Sequence, residues 1–276
     1  MRLLLRALSL FPLGLLQIIG WWLGWLAFLA SPTYRRRFLE NAGLAGCTRA
    51  QIAAAVGHAG CMVGELPRLW LGRPLPFRWD DQGCIQRAFD AGRGIVFLTP
   101  HMGCFELSPQ ALAADYSDRQ GPMTILYRPA RQAWLARAMA SVRERPGLQA
   151  VPTTMAGVRQ LIKALRQGRA VGLLPDQVPP EGMGAWAPFF GRPAYTMTLA
   201  ARLVQQTGAT VLLAWSERLS WGRGVAVHVR EMREPLSADM DTALAQLNAE
   251  MEQLIRACPA QYLWGYARYK APRGEL

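Results

Sequence analysis

The segment Gly94–Leu112, GIVFLTPHMGCFELSPQAL, decides the fold. Its opening run, Ile95–Thr99, is apolar without alternation, as in a strand covered on both faces. Pro100 closes the run, Gly103 permits a tight turn, and an apolar helix follows. A buried strand that runs straight into a helix is the start of a β–α unit.

Outward from this segment the pattern repeats. Strand-like runs occur at Thr124–Tyr127, Val171–Leu174, Thr210–Ser216 and Val225–Val229, with a weaker one at Leu148–Val151. Between them, Val158, Leu161, Ile162 and Leu165 follow helical spacing, as do Met240, Leu244, Leu247, Met251 and Leu254, with Ser237 as the expected N-cap. Pro32 to Leu71 reads as helical with a break at Gly43–Gly46, and Pro175–Pro193 reads as the most irregular stretch. The expected fold is α/β: a single domain with a mostly parallel central sheet flanked by helices, plus an N-terminal membrane helix. Residues 1–31 are assigned to the anchor and 32–276 to the catalytic domain.

The anchor rests on Ala7–Ser31, which carries no charge between Arg6 and Arg35 and contains Trp21, Trp22 and Trp25. A helix of about 20 residues crosses the hydrocarbon core, and Trp settles at bilayer interfaces. A cleaved signal peptide would have a shorter apolar run and an Ala-x-Ala end. Pro12, Gly14, Gln17 and Gly20 dilute the run and leave open a helix lying in the interface. Arg35, Arg36 and Arg37 place the following domain on the cytoplasmic side by the positive-inside rule.

The 276 residues carry 31 Lys plus Arg against 19 Asp plus Glu, a net charge of +12. Such a balance calls for an anionic partner. The Arg are scattered rather than clustered by a stacking platform, which argues against nucleic acid. Five Cys form no CxxC pair and three scattered His form no metal set, so no disulfide framework, no zinc and no cofactor are expected.

His101 and Glu106 are the candidate chemical centre. Ligands of open α/β sheets bind at the carboxyl ends of strands, where His101 falls. A His suits general-base work, and a carboxylate fixes its tautomer and stabilises the imidazolium. Amides at the following helix start are expected to stabilise an oxyanion. A structural His beside a helix-start Glu explains the bare pair equally well. Cys104 reads as a small apolar residue packing the corner, with a nucleophile that uses His101 as base as the alternative. His58 and His228 read as structural.

The whole pattern resembles the late acyltransferases of lipid A biosynthesis, the lauroyl/myristoyl transferases of Gram-negative bacteria in the lysophospholipid acyltransferase-like superfamily. The resemblance runs along nearly the whole chain. It is carried by the N-terminal helix with Arg35-Arg36-Arg37-Phe38-Leu39-Glu40-Asn41, by His101-x4-Glu106, and by Leu126-Tyr127-Arg128-Pro129. It continues through Lys163–Gly168, Gly172-Leu173-Leu174-Pro175-Asp176-Gln177, Pro188–Ala194, and the tail Pro259–Trp264 with Arg268, Tyr269 and Lys270. Two departures stand out: Gly103-Cys104-Phe105-Glu106 where the family has Gly-Asn-Trp-Glu or similar, and Tyr266 where it has His.

The resemblance implies transfer of a fatty acyl chain from an acyl carrier protein, or acyl-CoA, to a hydroxyl of a phosphorylated glycolipid, a lipid A precursor, with no acyl-enzyme. It implies His101 as base with Glu106 orienting and charging it, and Arg128 holding phosphate. It places Asp176 in the site, orienting Arg128 or a substrate amide, and Phe189 and Phe190 beside the acyl chain. Trp264, Arg268 and Lys270 are expected at the membrane interface. It implies a monomer at the bacterial inner membrane, with the catalytic domain on the cytoplasmic face. Another glycolipid or a lysophospholipid acceptor, or a Cys104-dependent thioesterase, are the alternatives.

Overall fold

A computed structural model describes residues 2–127 and 145–272 of the chain. Helices α1 (Arg2–Ser9), α2 (Leu13–Ala30), α3 (Pro32–Leu44), α4 (Arg49–Gly64) and α5 (Leu66–Leu71) come first. Then follow β1 (Phe77–Trp79), α6 (Gly83–Asp90), β2 (Ile95–Leu98), α7 (Ser108–Gln120), β3 (Met123–Tyr127) and β4 (Leu148–Pro152). The remainder is α8 (Met155–Arg166), β5 (Ala170–Leu173), the strand pair β6 (Gly184–Phe189) and β7 (Arg192–Met197), α9 (Leu199–Thr207), β8 (Thr210–Arg218), β9 (Val225–Glu231) and α10 (Met240–Ala257).

Seven strands form one sheet in the order β1-β9-β8-β2-β5-β3-β4. All neighbours are parallel except β8 and β9. Every residue of β2 and β5 is buried, which is why both read as unbroken apolar runs. The expected mostly parallel α/β architecture is therefore the observed one. One face packs on α6 and α7 through Phe89, Phe97, Leu112 and Tyr116. The other carries the larger core, in which α8, α9 and α10 contribute Leu161, Leu203 and Leu247.

Three local expectations are corrected. The stretch read as irregular contains the β6–β7 hairpin, turned at Phe190 and Gly191 with φ of 46° and 73°. Interior prolines, Pro188 and Pro193, hide it from strand patterning, but they face each other across a ladder of two strands with no third strand among the described residues paired to either. The three-residue β1 is too short to show a period. The cap of α10 is Asp239, whose carboxylate accepts the Thr242 N–H at 2.9 Å, rather than Ser237.

α2 is apolar and long enough to cross a membrane, yet it packs along its length on α4. Leu13, Leu16, Gln17, Gly20, Gly24 and Phe28 form its buried stripe. The contact is glycine on glycine: a Cβ on Gly60 would lie 1.9 Å from the Gly20 carbonyl oxygen. The opposite face is bare, with Trp22 68% and Leu26 62% exposed. One face of the run is thus committed to the body and the other to its surroundings.

Replacing Gly60 by Leu forces the two helix backbones apart. We expect a loss of about 1–3 kcal/mol, read as a lower midpoint of thermal unfolding in detergent. The same change at Gly46, where a Cβ meets nothing within 4 Å but φ is 74°, costs only local backbone strain and leaves the α2–α4 contact intact.

Candidate active site

β2 and β5 are hydrogen-bonded neighbours whose last rung is Leu98↔Leu173. Both chains continue alike, Thr99-Pro100-His101 and Leu174-Pro175-Asp176. His101 and Asp176 therefore each lie three residues beyond that rung, and the parallel register brings them side by side. His101 Nδ1 meets Asp176 Oδ1 at 2.7 Å, and the His101 backbone N–H donates to Oδ2 at 2.9 Å. One carboxylate thus grips both the ring and the main chain of the same residue.

Burial by itself raises the Asp176 carboxyl, but the His101 charge, the two hydrogen bonds from His101 and the Arg268 guanidinium outweigh it and hold it below the ordinary carboxylate range. The ionised Asp176 accepts a hydrogen bond from His101 Nδ1–H, which leaves Nε2 as the ring nitrogen not committed to the carboxylate. The His101 side chain keeps 18% of its surface exposed while that of Asp176 keeps 2%. The ring of Phe105 leans on the imidazole at 5.0 Å.

The corner itself is pinned by its backbone. Leu263 N–H donates to the His101 carbonyl at 3.2 Å, Gly103 N–H to the Gln261 carbonyl at 2.9 Å, and Cys104 N–H to the Ser216 carbonyl at 2.8 Å. Gly103 has φ of 59°, and a Cβ there would sit 2.0 Å from the Ser216 oxygen, so only glycine fits. The amides of residues 101, 103 and 104 are engaged within the protein.

His101 opens on a cavity of about 730 Å³, of the size that takes sizeable organic ligands. Strand register divides its lining. Phe97, Ile125 and Gly172 are lateral neighbours and share the face that α7 covers. Leu126 and Leu173 lie on the opposite face, with Val158, Ile162, Leu199 and Leu203 of α8 and α9. The cavity wraps the carboxyl edge of the sheet, with His101 at the junction. Its α7 lobe is lined by Trp79, Phe97, Leu112, Met123, Ile125 and Gly172; the other holds Arg202 and Gln206 among its apolar residues.

Glu106 lies in a short 3₁₀ turn, Phe105–Leu107, and lines the same cavity. The carboxylate bonded to His101 Nδ1 is Asp176. The Glu106 charge raises the affinity of Arg145 for its proton against the lowering by burial. Arg145 donates to the Gln110 side chain at 2.8 Å. Arg128 lies outside the described residues.

Other expected residues are elsewhere. Phe189 and Phe190 are buried in the core, their rings 4.8 Å apart, with Phe190 5.7 Å from Trp264, and neither lines the cavity. Trp264 and Arg268 are 1% and 2% exposed, so they are core residues and not interfacial anchors. Arg268 ties the tail to β7 through the Tyr195 carbonyl at 2.7 Å and Thr196 Oγ1 at 2.8 Å. Asn41 holds the tail carbonyls of Trp264 and Tyr266 at 2.7 and 2.9 Å. Cys104 is buried outside the cavity, and burial pushes its thiol well up, which removes it as a nucleophile. His228 stacks on Trp215 between Asp80 and Glu217.

Residues 56–271 match the family of bacterial lipid A biosynthesis acyltransferases. The chain belongs to that family. Among its relatives are the lipid A biosynthesis palmitoleoyltransferase of Escherichia coli (strain K12), 26% identical over 69% of this chain and 61% of the relative. The lipid A biosynthesis lauroyltransferase of the same strain is 30% identical over 42% of this chain and 39% of its own. The phosphatidylinositol mannoside acyltransferase of Mycolicibacterium smegmatis is 29% identical over 50% and 45%. The chain thus spans about three-fifths of the length of the curated relatives it matches most extensively. In this acyltransferase family member, what sequence spacing obscured is the contact of Asp176 with His101. The repeated Thr-Pro-His and Leu-Pro-Asp endings of two buried strands were the available signal.

Because the folded-state value of Asp176 is depressed, its pairing stabilises the protein above about pH 3.9, the ordinary Asp value. That stabilisation is lost as pH falls through the folded value. Asp176→Asn is expected to flatten the acid limb of the stability curve, measured by denaturant unfolding between pH 6 and pH 2 (about the span of the carboxylate titration). An unchanged acid limb would remove the ion pair.

Proposed function

We propose that this protein transfers a fatty acyl chain from an acyl carrier protein thioester, or acyl-CoA, to a hydroxyl of a lipid A precursor. The observation that carries the reading is an imidazole, held by a buried carboxylate, lining a mostly apolar cavity that reaches both faces of the sheet. The acceptor hydroxyl gives its proton to His101 Nε2 as its oxygen attacks the thioester carbonyl. The tetrahedral adduct collapses, the C–S bond breaks, and the thiolate takes the proton back from His101. Asp176 stabilises the imidazolium between the two transfers. The acyl group passes directly, with no acyl-enzyme. We assign Glu106 and Arg128 to the acceptor: Glu106 faces the cavity, and Arg128 rests on the family motif, as a planar fork suited to phosphate.

The α7 lobe suits the donor chain because its lining lacks charged side chains below the His101 level. Phe97 lies within β2, on the N-terminal side of the corner that carries His101, so this lobe runs from the base down along the strand. A Cβ on Gly172 would sit 2.6 Å from Met123 Cε and 3.3 Å from Ile125 Cγ2, so a side chain there would push these lining residues into the lobe. Gly172→Val is expected to shift donor preference to shorter chains, by about 10- to 200-fold per methylene excluded, measured as a ratio of kcat/KM values.

The bare face of α2, with Trp22, Leu26 and Leu29 exposed, suits a helix lying in the inner-membrane interface, on the cytoplasmic side. The net charge of +12 and five free thiols agree with an anionic, reducing side.

The test incubates membranes holding the protein with labelled acyl carrier protein thioesters and a tetra-acylated lipid A precursor. Acylated product is expected from wild type, with His101→Ala and Asp176→Asn slower by about 10²–10⁴-fold. Free fatty acid without acylated lipid would point to hydrolysis, and product only with lysophospholipids to the other acceptor class.

A further inference from the structure

Behind the His101 corner lies a buried polar cluster that the acyl transfer does not use. Arg218, the last residue of β8, is paired with Glu65, which follows α4: Nε to Oε1 at 2.6 Å and Nη2 to Oε2 at 2.9 Å. Their side chains are 2% and 1% exposed. Nη2 also donates to the Gly103 carbonyl at 3.0 Å, and Nη1 meets His58 Nδ1 at 3.1 Å. Burial, then the Arg218 charge, pushes His58 down to about 4, so its neutral ring accepts this bond. On the far side Gln17 of α2 donates to Glu65 Oε1 at 2.8 Å and accepts the Gly222 N–H at 2.8 Å. None of these residues lines the cavity.

A buried ion pair is a poor stabiliser: the cost of stripping water from both charges offsets the attraction, and an apolar pair of like volume does as well or better. The pair therefore needs another reason. The pair meets the corner at the Gly103 carbonyl, two residues beyond the base, where the amides of residues 101, 103 and 104 and the His101 carbonyl are held by other segments. We propose that Arg218 and Glu65 are positioning residues that fix the His101 corner, and that Gln17 ties the seating of the apolar helix α2 into the same cluster. This rests on the proposed acyl transfer only for its kinetic arm. It predicts that the geometry of His101 depends on a charge pair it never touches, and on how α2 is docked.

The experiment compares wild type with the double variant Glu65→Met/Arg218→Met, which removes both charges together and keeps the volume; either single change would strand a buried charge. Thermal unfolding is expected to stay near wild type and KM for the acyl thioester to hold, while kcat falls about 10²-fold, the effect of a misplacement of about 1 Å. A second readout does not need turnover. The chain has three His, so ¹⁵N-histidine labelling with His101→Ala for assignment isolates the His101 Nδ1 signal bonded to Asp176. That signal should shift or broaden in the double variant. Gln17→Met leaves the charges paired and folds independently of the first test; it should lower kcat about 2- to 10-fold, the worth of one neutral hydrogen bond, with KM unchanged. Wild-type kcat and an unmoved His101 signal in the folded double variant, or wild-type kcat in Gln17→Met should the double not fold, would overturn the proposal. A shifted signal in a chain whose wild type transfers no acyl group would sustain the positioning and sink the acyl transfer.

Discussion

The structure depends on the satisfaction of a buried main chain where β2 ends. A strand in mid-sheet has its ladder; the corner that follows does not, and an unpaired buried amide or carbonyl costs as much as a lost hydrogen bond. Here residues 101–104 find partners in three distant segments: Asp176 after β5, Ser216 and Arg218 on β8, and Gln261 and Leu263 in the tail. The site is rigid because its backbone is divided among them. The requirement for glycine at 103 follows, since the Ser216 carbonyl occupies the space of a side chain.

The tail and the N-terminal helices serve that corner as well as the core. Asn41 fixes the tail carbonyls, Arg268 locks the tail to the β6–β7 hairpin, and Gln17 reaches the Glu65–Arg218 pair. Aromatic residues that looked fit for a lipid contact, Phe189, Phe190 and Trp264, are spent on packing this frame. The outer face of α2 stays exposed and apolar, and the cavity around the sheet edge stays open.

The strands were legible because burial on both sides makes an apolar run. Ile95–Leu98 and Ala170–Leu173 lie within two residues of their reading from sequence. The placement of His101 past a strand end was legible for the same reason. The β6–β7 hairpin was not, because prolines that would break a central strand are harmless in a two-stranded ladder. The role of Asp176 was not, because spacing along one segment favours Glu106, five residues away, over an acid seventy-five residues away. For Phe189 the choice between the cavity wall and the core was open in the sequence, since exposure is a property of the packed chain.

By itself the sequence determined the fold class, the apolar N-terminal helix, and a histidine at the carboxyl end of a buried strand. Each of these follows from local periodicity, composition or turn chemistry, which neighbours along the chain are enough to set. Tertiary structure alone decided that Asp176 and not Glu106 grips that histidine, that α2 gives one face to the body, and that a buried Arg218–Glu65 pair stands behind the site. Those outcomes depend on which strands become neighbours and in what register, and strand order is settled only when distant segments bury their faces together.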